Sequence, residues 1–117
     1  MLATLDAVAQ AGFAVAVACP PHGPLADVLR RRGVEVLPFS MRTAAGAARS
    51  QAESRRELAG LLDHQKPDLL HANSLSMGRL SGPVASALRL ASIAHLRDIL
   101  RLSRQAVEDL NHHRRLL

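Results

Sequence analysis

The most informative pattern in the chain lies in residues 12–38, GFAVAVACPPHGPLADVLRRRGVEVLP. A continuous apolar run at 13–19 is closed by two prolines, which is typical of a short strand buried on both faces. Pro24 then opens an amphipathic helix that ends at Gly33, and a second apolar strand follows at 34–38. Because a strand, a helix and another strand follow one another so closely, we expect a right-handed β-α-β unit with parallel strands.

The same alternation extends in both directions along the chain. Residues 41–50 are small and show no periodicity, but the other segments predict further helices and strands. These are a helix that ends at Gly12, a helix at 51–65, a strand at 68–72, a helix from Ser74 or Ser76 to Leu88, a strand at 91–96 and a helix at 103–117. The fold class we predict is therefore α/β, a Rossmann-like parallel sheet with flanking helices.

Length and composition limit the classes of protein that need to be considered. With 117 residues and 48% hydrophobic residues, the chain can form one domain but not a two-domain enzyme. A net charge of +5 could indicate nucleic acid, but residues 30–32, three arginines, stand at a helix end, where they complement the helix dipole. The sequence has no Trp or Tyr on which bases could stack. We expect no nucleic-acid partner, and salt-dependent binding through residues 30–32 is the alternative.

Cysteine usage and hydropathy indicate where the chain works. Cys19 is the only cysteine, which excludes an internal disulfide or a thiolate metal cluster and fits a reducing compartment. The amino terminus lacks a secretion-signal pattern, and the most apolar stretch, 11–20, is about half the roughly 20 residues of a membrane-spanning helix. We expect a cytoplasmic protein.

In parallel sheets, ligands bind beyond the carboxyl ends of the strands, which selects the loops at 20–23, 40–46, 71–76 and 95–98. His71, Asn73 and Ser74 leave a strand and enter a helix, where free N–H groups suit a hydroxyl-rich or phosphorylated ligand. The alternative is that Ser74 or Ser76 only caps the helix and that His71 is bonded within the protein.

A second set of polar residues follows the strand at 91–96. His95, Arg97 and Asp98 could bind an anion or move a proton, although Arg97 and Asp98 could equally form an ordinary ion pair. If the strands at 68–72 and 91–96 are neighbours, His71 and His95 emerge at one edge of the sheet. His112 and His113 diverge on a helix, and we expect them on a solvated face.

Several motifs of other enzyme classes are missing. The sequence has no phosphate-binding glycine loop, dinucleotide fingerprint, nucleophile elbow or metal-ligand cluster. These absences argue against a nucleotide hydrolase, a dinucleotide-dependent enzyme and a serine hydrolase. We expect neither a cofactor nor a metal.

Three segments, 12–36, 66–74 and 95–98, resemble in order and spacing the amino-terminal domain of family-4 glycosyltransferases of the GT-B fold. The resemblance implies two Rossmann-like domains around a cleft and transfer of a sugar from a nucleotide-activated donor with retention, without an obligatory metal. It implies that the amino-terminal domain binds most of the acceptor. Residues 67–74 match a segment that lines the cleft in the family. Residues 95–98 match a strand end where many members carry a functional histidine followed by Asp. Here Arg97 takes the place of that histidine, and His95 lies two residues earlier.

From the resemblance and the strand-end rule together, the predicted acceptor-binding residues are His71, Asn73, Ser74 and Arg42, and the catalytic candidates are His95, Arg97 and Asp98. The implied partners are a sugar or lipid-linked acceptor and, given a second domain, a nucleotide-sugar donor. A lipid-linked acceptor would bring the chain to the inner face of the membrane as a peripheral contact.

The chain also departs from the family pattern at both ends. Family members begin with a strand and a glycine-rich turn, and they continue into a donor-binding domain; neither is present in residues 1–117. We therefore expect a partial domain from a truncated frame, a misplaced start codon or a gene remnant; otherwise the strands at 13–19 and 68–72 must pair directly. It should have little or no transferase activity alone. The alternative function is a non-catalytic α/β module that binds a sugar, a phosphate or a protein partner.

Overall fold

Five helices and five short strands make up the computed structural model, which describes residues 2–96, 102–113 and 115–116. The helices are α1 (Leu2–Gln10), α2 (Pro24–Arg31), α3 (Gln51–Gln65), α4 (Leu75–Ala87) and α5 (Arg104–Leu110). The strands are β1 (Ala16–Cys19), β2 (Glu35–Pro38), β3 (Leu69–Ala72), β4 (Ala91–Ala94) and β5 (Arg115–Leu116). Every paired strand is parallel to its neighbour, so the predicted parallel α/β class is confirmed.

The chain divides into two compact units, Met1–Ala48 and Arg49–Leu117. In the described residues, the strands form one sheet of order β1-β2 and one of order β3-β4-β5, and direct pairing of β1 with β3 is not seen. Each described helix is too short or too polar to cross a membrane.

In the first unit, the β-α-β segment folds as its sequence predicts. Pro24 starts α2, and the chain leaves the helix through Gly33, whose φ of 75° lies in the left-handed region that glycine favours. Leu29 of α2 is fully buried and packs with Cys19 of β1. The basic residues Arg30 and Arg31 occupy the last turn of α2, where they complement the helix dipole.

The predicted two-sided burial of the first strand is wrong for this unit. Of the four residues of β1, only Cys19 is buried, and Phe13 before the strand is 54% exposed. A two-stranded sheet gives β1 one neighbouring strand, so the opposite edge of β1 is left without a paired strand in the described residues. Burial also raises the pKa of the Cys19 thiol, against a smaller opposing effect of the Arg30 charge.

The second unit is built around β3, β4, α4 and α5. Ser50 and Ser74 cap α3 and α4 by accepting hydrogen bonds from backbone N–H groups three residues later. Ala72, Ala94 and Leu110 form a buried cluster in this unit.

The carboxyl-terminal region differs from the predicted single helix at 103–117. Helix α5 ends at Leu110, and β5 adds to β4 in parallel. The chain turns after α5, and the ring of His113 lies in the interior. There it is hydrogen-bonded to Ser92 of β4 and to Gly78 of α4.

Candidate functional site

The carboxyl ends of β3 and β4 lie side by side. The two strands pair in parallel with Ala72 opposite Ala94, and the N–H of His95 donates to the Ala72 carbonyl over 2.8 Å. That bond continues the pairing one residue beyond β4. The segments that follow both strands therefore start from the same edge of the sheet, as the strand-end rule requires.

Two histidines meet at this edge. The rings of His71 and His95 stack with their centroids 6.0 Å apart and their planes 18° from parallel. His71 opposes Ile93 in the register, and His95 lies two residues beyond Ile93, so both side chains leave the same face of the sheet. The expected convergence of His71 and His95 is confirmed; their roles as ligand-binding or catalytic residues stay predictions.

Asn73 and Ser74 connect β3 to α4 at the same edge. The Ser74 hydroxyl accepts a hydrogen bond from the N–H of Met77 over 3.2 Å, so the capping role weighed for Ser74 is present. Asn73 is half-buried beside it. Only these two residues separate the end of β3 from α4, so the first N–H groups of α4 add hydrogen-bond donors at the edge where the histidines stack.

Arg42 belongs to the first unit, in a small hairpin after β2. Its guanidinium donates to the Gly46 carbonyl over 3.1 Å, and Arg42 and Ala48 form an antiparallel bridge. The segment without periodicity is therefore an ordered turn, which Thr43 also closes with its hydroxyl. Such a turn has no repeat that a sequence pattern would show. The acceptor-binding role of Arg42 stays a prediction.

The other two catalytic candidates, Arg97 and Asp98, lie outside the described residues. Within the described part of the chain, no three His, Cys, Asp or Glu side chains come together as metal ligands.

The second unit contains a polar cluster that no pattern in the sequence predicted. Asp109 is 3% exposed, and its carboxylate lies 3.3 Å from both the Arg55 and the Arg79 guanidinium groups, while the Gln105 amide donates to it over 3.1 Å. Burial acts to raise the pKa of Asp109, but hydrogen bonds from Gln105 and Arg79 and the charges of Arg55 and Arg79 outweigh it. The pKa of Asp109 is therefore below its ordinary value.

Arg55 also replaces a backbone hydrogen bond that is missing in α4. Pro83 has no N–H, so the Arg79 carbonyl, four residues earlier, loses its helical partner. The Arg55 guanidinium donates to that carbonyl over 2.8 Å and to the Leu80 carbonyl over 3.1 Å. One arginine thus ties α3 to the interrupted turn of α4 and to Asp109 of α5. The proline was visible in the sequence, but the arginine that compensates for it was not.

The prediction that His113 lies on a solvated face is wrong. His113 is 8% exposed, with Nε2 2.7 Å from the Gly78 carbonyl and Nδ1 2.8 Å from the Ser92 hydroxyl. A carbonyl only accepts, so in the neutral ring Nε2 carries the proton and Nδ1 accepts from Ser92. The signal that could have found this packing is the four-residue spacing of Gly78 and Gly82, which leaves space on one face of α4.

The chain is similar to one known protein family in sequence and to a solved structure in fold. A family model described as "Glycosyl transferase 4-like" matches residues 1–107. The crystal structure of Acinetobacter baumannii MurG is similar in fold, with a TM-score of 0.75 at 11% sequence identity, over 98% of this chain and 36% of that chain. No curated protein sequence matched. The chain therefore spans about a third of the length of the solved structure it resembles.

Proposed function

The chain belongs to the glycosyl transferase 4-like family, and from that membership we propose that it forms the acceptor side of an enzyme that transfers a sugar from a nucleotide-sugar donor. The observation that carries the proposal is the stacked pair His71 and His95 at the carboxyl edge of β3 and β4. Ligands of parallel α/β sheets bind at this edge.

The chemistry of the edge suits a sugar or sugar-phosphate acceptor. Imidazole nitrogens both donate and accept hydrogen bonds, as the hydroxyls of a sugar require. The amino-terminal turn of α4 adds backbone N–H groups and a positive dipole end, which favour a phosphate or another anion. His71 is exposed and His95 half-buried, so an acceptor can reach the pair from solvent. In this proposal His71, Asn73 and Ser74 hold the acceptor, and His95, with Arg97 and Asp98, accepts the proton of the acceptor hydroxyl.

The donor side is proposed to lie in a second domain. The chain covers 36% of the MurG structure that it resembles. Since a nucleotide-sugar must be held facing the acceptor, these 117 residues alone should bind the acceptor without transferring sugar. The family resemblance implies retention at the transferred carbon. A lipid-linked acceptor would place the enzyme at the inner face of the cytoplasmic membrane.

Binding of a sugar phosphate should require the two stacked histidines. Glucose 1-phosphate, which presents both hydroxyls and a phosphate, is titrated into the full chain while histidine ring resonances are followed by NMR. We expect the His71 and His95 rings to shift together and saturably. Replacing either by alanine should weaken binding by about tenfold, the equivalent of roughly 1.4 kcal/mol and of one hydrogen bond to a charged group.

The control for this titration is His64→Ala, which removes an exposed histidine from the last turn of α3. That variant should bind as the unmodified chain does. Equal weakening by His64→Ala, or the absence of any saturable shift at His71 and His95, would contradict the assignment of the acceptor site to this edge.

A separate measurement tests the need for a donor domain. The full chain, incubated with a nucleotide-sugar and glucose 1-phosphate, is expected to release no nucleotide above the rate without protein. Turnover that is lost in His95→Ala would overturn the inactivity of the isolated chain while supporting the catalytic role of this edge. Sugar-phosphate binding that persists without turnover, even beside an added donor domain, would instead identify a non-catalytic binding module.

A further inference from the structure

An apolar furrow runs between α3 and α4, toward the end of α4 that is remote from Ser74. It is a shallow depression of about 350 Å³ that is largely open to solvent. Its apolar lining consists of Ala52 and Ala59 of α3 and of Pro83, Val84, Ala87 and Leu88 at the end of α4. The furrow is separate from the histidine edge, and its occupant would be separate from a sugar acceptor.

The sequence explains why the two helices leave a gap here. The apolar lining positions of α3 carry alanine, and α4 contributes Pro83 and Ala87, so these side chains fill little of the space between the helix axes. Val84, at 7% exposure, is buried, whereas Leu88 is 39% exposed. An apolar depression beside an exposed leucine is a surface that gains stability when a partner covers it.

The shape of the furrow is fixed by hydrogen bonds. Arg55 of α3 donates to two carbonyls of α4 immediately before Pro83, over 2.8 and 3.1 Å, and also contacts Asp109. These bonds set the separation of α3 and α4 at the furrow. A groove that already exists between two helices suits the docking of a third helix, because little conformational entropy of the groove is lost on binding.

The charge at the furrow favours an acidic partner. Its lining includes Arg55 and Arg56 and no acidic residue. Arg55 pairs with Asp109, whereas exposed Arg56 has no ion-pair partner among the residues that the structure describes. A carboxylate on a docked segment could reach Arg56 at the rim, and the chain's net charge of +5 would attract an acidic partner from a distance.

We propose that the furrow between α3 and α4 binds an acidic amphipathic helix of a protein partner. Aliphatic side chains spaced i, i+3, i+4 and i+7 enter the furrow over Val84 and beside Leu88. An acidic side chain on the flank of that helix pairs with Arg56. This function is additional to sugar transfer and does not depend on it.

A synthetic peptide tests this directly. The chain has no Trp or Tyr, so one tryptophan on the leucine face of a glutamate-rich helical peptide reports its burial by a blue shift without background from the protein. Adding the full chain should give a saturable shift. Arg56→Glu should weaken binding by about tenfold, because it replaces an attraction with a repulsion. Ala59→Arg, which places a long charged side chain in the furrow, should weaken it at least as much.

Arg104→Glu is the matched control, since it makes the same charge change at an exposed position of α5 outside the furrow. It should leave the affinity within about twofold of the unmodified chain, because Arg104 does not line the furrow. Far-UV circular dichroism verifies that each variant is folded. Equal weakening by Arg104→Glu, equal binding of a lysine-rich peptide, or no saturable binding would overturn the proposal. Vesicles of anionic lipid that bind through Arg56 and Ala59 when the peptide does not would also overturn it.

Discussion

Replacing Asp109 with alanine should lower the free energy of unfolding of the second unit by about 3 kcal/mol, the lower end of the range for breaking a buried ion pair. The carboxylate is 4% exposed and receives hydrogen bonds from Arg55, Arg79 and Gln105, which come from three different helices. Without it, two guanidinium groups face one another with no negative charge between them. The arginine side chains are 28% and 33% exposed, so water offsets part of the loss.

Chemical unfolding followed by far-UV circular dichroism measures this effect, because the chain has neither Trp nor Tyr as a fluorescent probe. Asp63→Ala removes an exposed carboxylate from α3 and should cost no more than about 0.5 kcal/mol. A similar loss for both variants would show that the buried cluster does not stabilise the fold.

The effect of Asp109 should also depend on pH in a defined direction. The pKa of this carboxyl is lowered in the folded protein, so its stabilisation is fully present above the unfolded pKa of about 3.9. It is lost as the pH falls from there through the folded pKa. The difference in unfolding free energy between the unmodified chain and Asp109→Asn should therefore be constant near neutral pH and shrink below about pH 4. A difference that grew on acidification would contradict the direction of the pKa shift.

Replacing Gly82 with alanine should destabilise the second unit by about 2 kcal/mol, within the usual range for overpacking. A Cβ at this position would lie 2.3 Å from the backbone oxygen of Asp109 and 3.1 Å from Nε2 of His113. The first contact is with backbone, so α5 must move away from α4 to accommodate the methyl group. That movement would disturb the hydrogen bonds of both Asp109 and His113.

Gly60→Ala in α3 is the matched substitution, because it makes the same chemical change in a helix interior where a Cβ meets nothing within 4 Å. It should raise the free energy of unfolding by about 0.5–1 kcal/mol through helix propensity alone. The opposite signs of the two substitutions separate packing from propensity. If Gly82→Ala were stabilising as well, α4 and α5 could not be as close as the structure places them.

Local patterns predicted most of the elements. The apolar run before Cys19, Pro24 at the start of α2 and Gly33 after its end were sufficient to place β1, α2 and β2 to within a few residues. Residues near one another in sequence determine such features, because capping and steric preferences act over one helical turn. The parallel arrangement followed from the alternation of strands and helices, and the meeting of His71 with His95 followed from the parallel arrangement.

The errors arose where distant residues decide the outcome. The sequence predicted that His113 faces solvent. Its buried ring is instead hydrogen-bonded to Gly78 and Ser92, which lie 35 and 21 residues earlier in the chain. The chain consequently turns after α5 and forms β5 where a longer helix was expected. A pattern read along one segment contains no information about partners that far away.

Local patterns were sufficient to predict the alternation of strands and helices, the parallel class of the sheet and the edge at which His71 and His95 emerge, because each depends on local conformational preference or on strand direction. The compensation of Pro83 by Arg55 and the contacts of Asp109 with α3, α4 and α5 depend instead on how the helices pack. The structure also shows that α5 approaches α4 closely enough to require Gly82. These contacts join side chains up to 54 residues apart, and the packing of helices in three dimensions decides which of the many possible polar pairs are buried together.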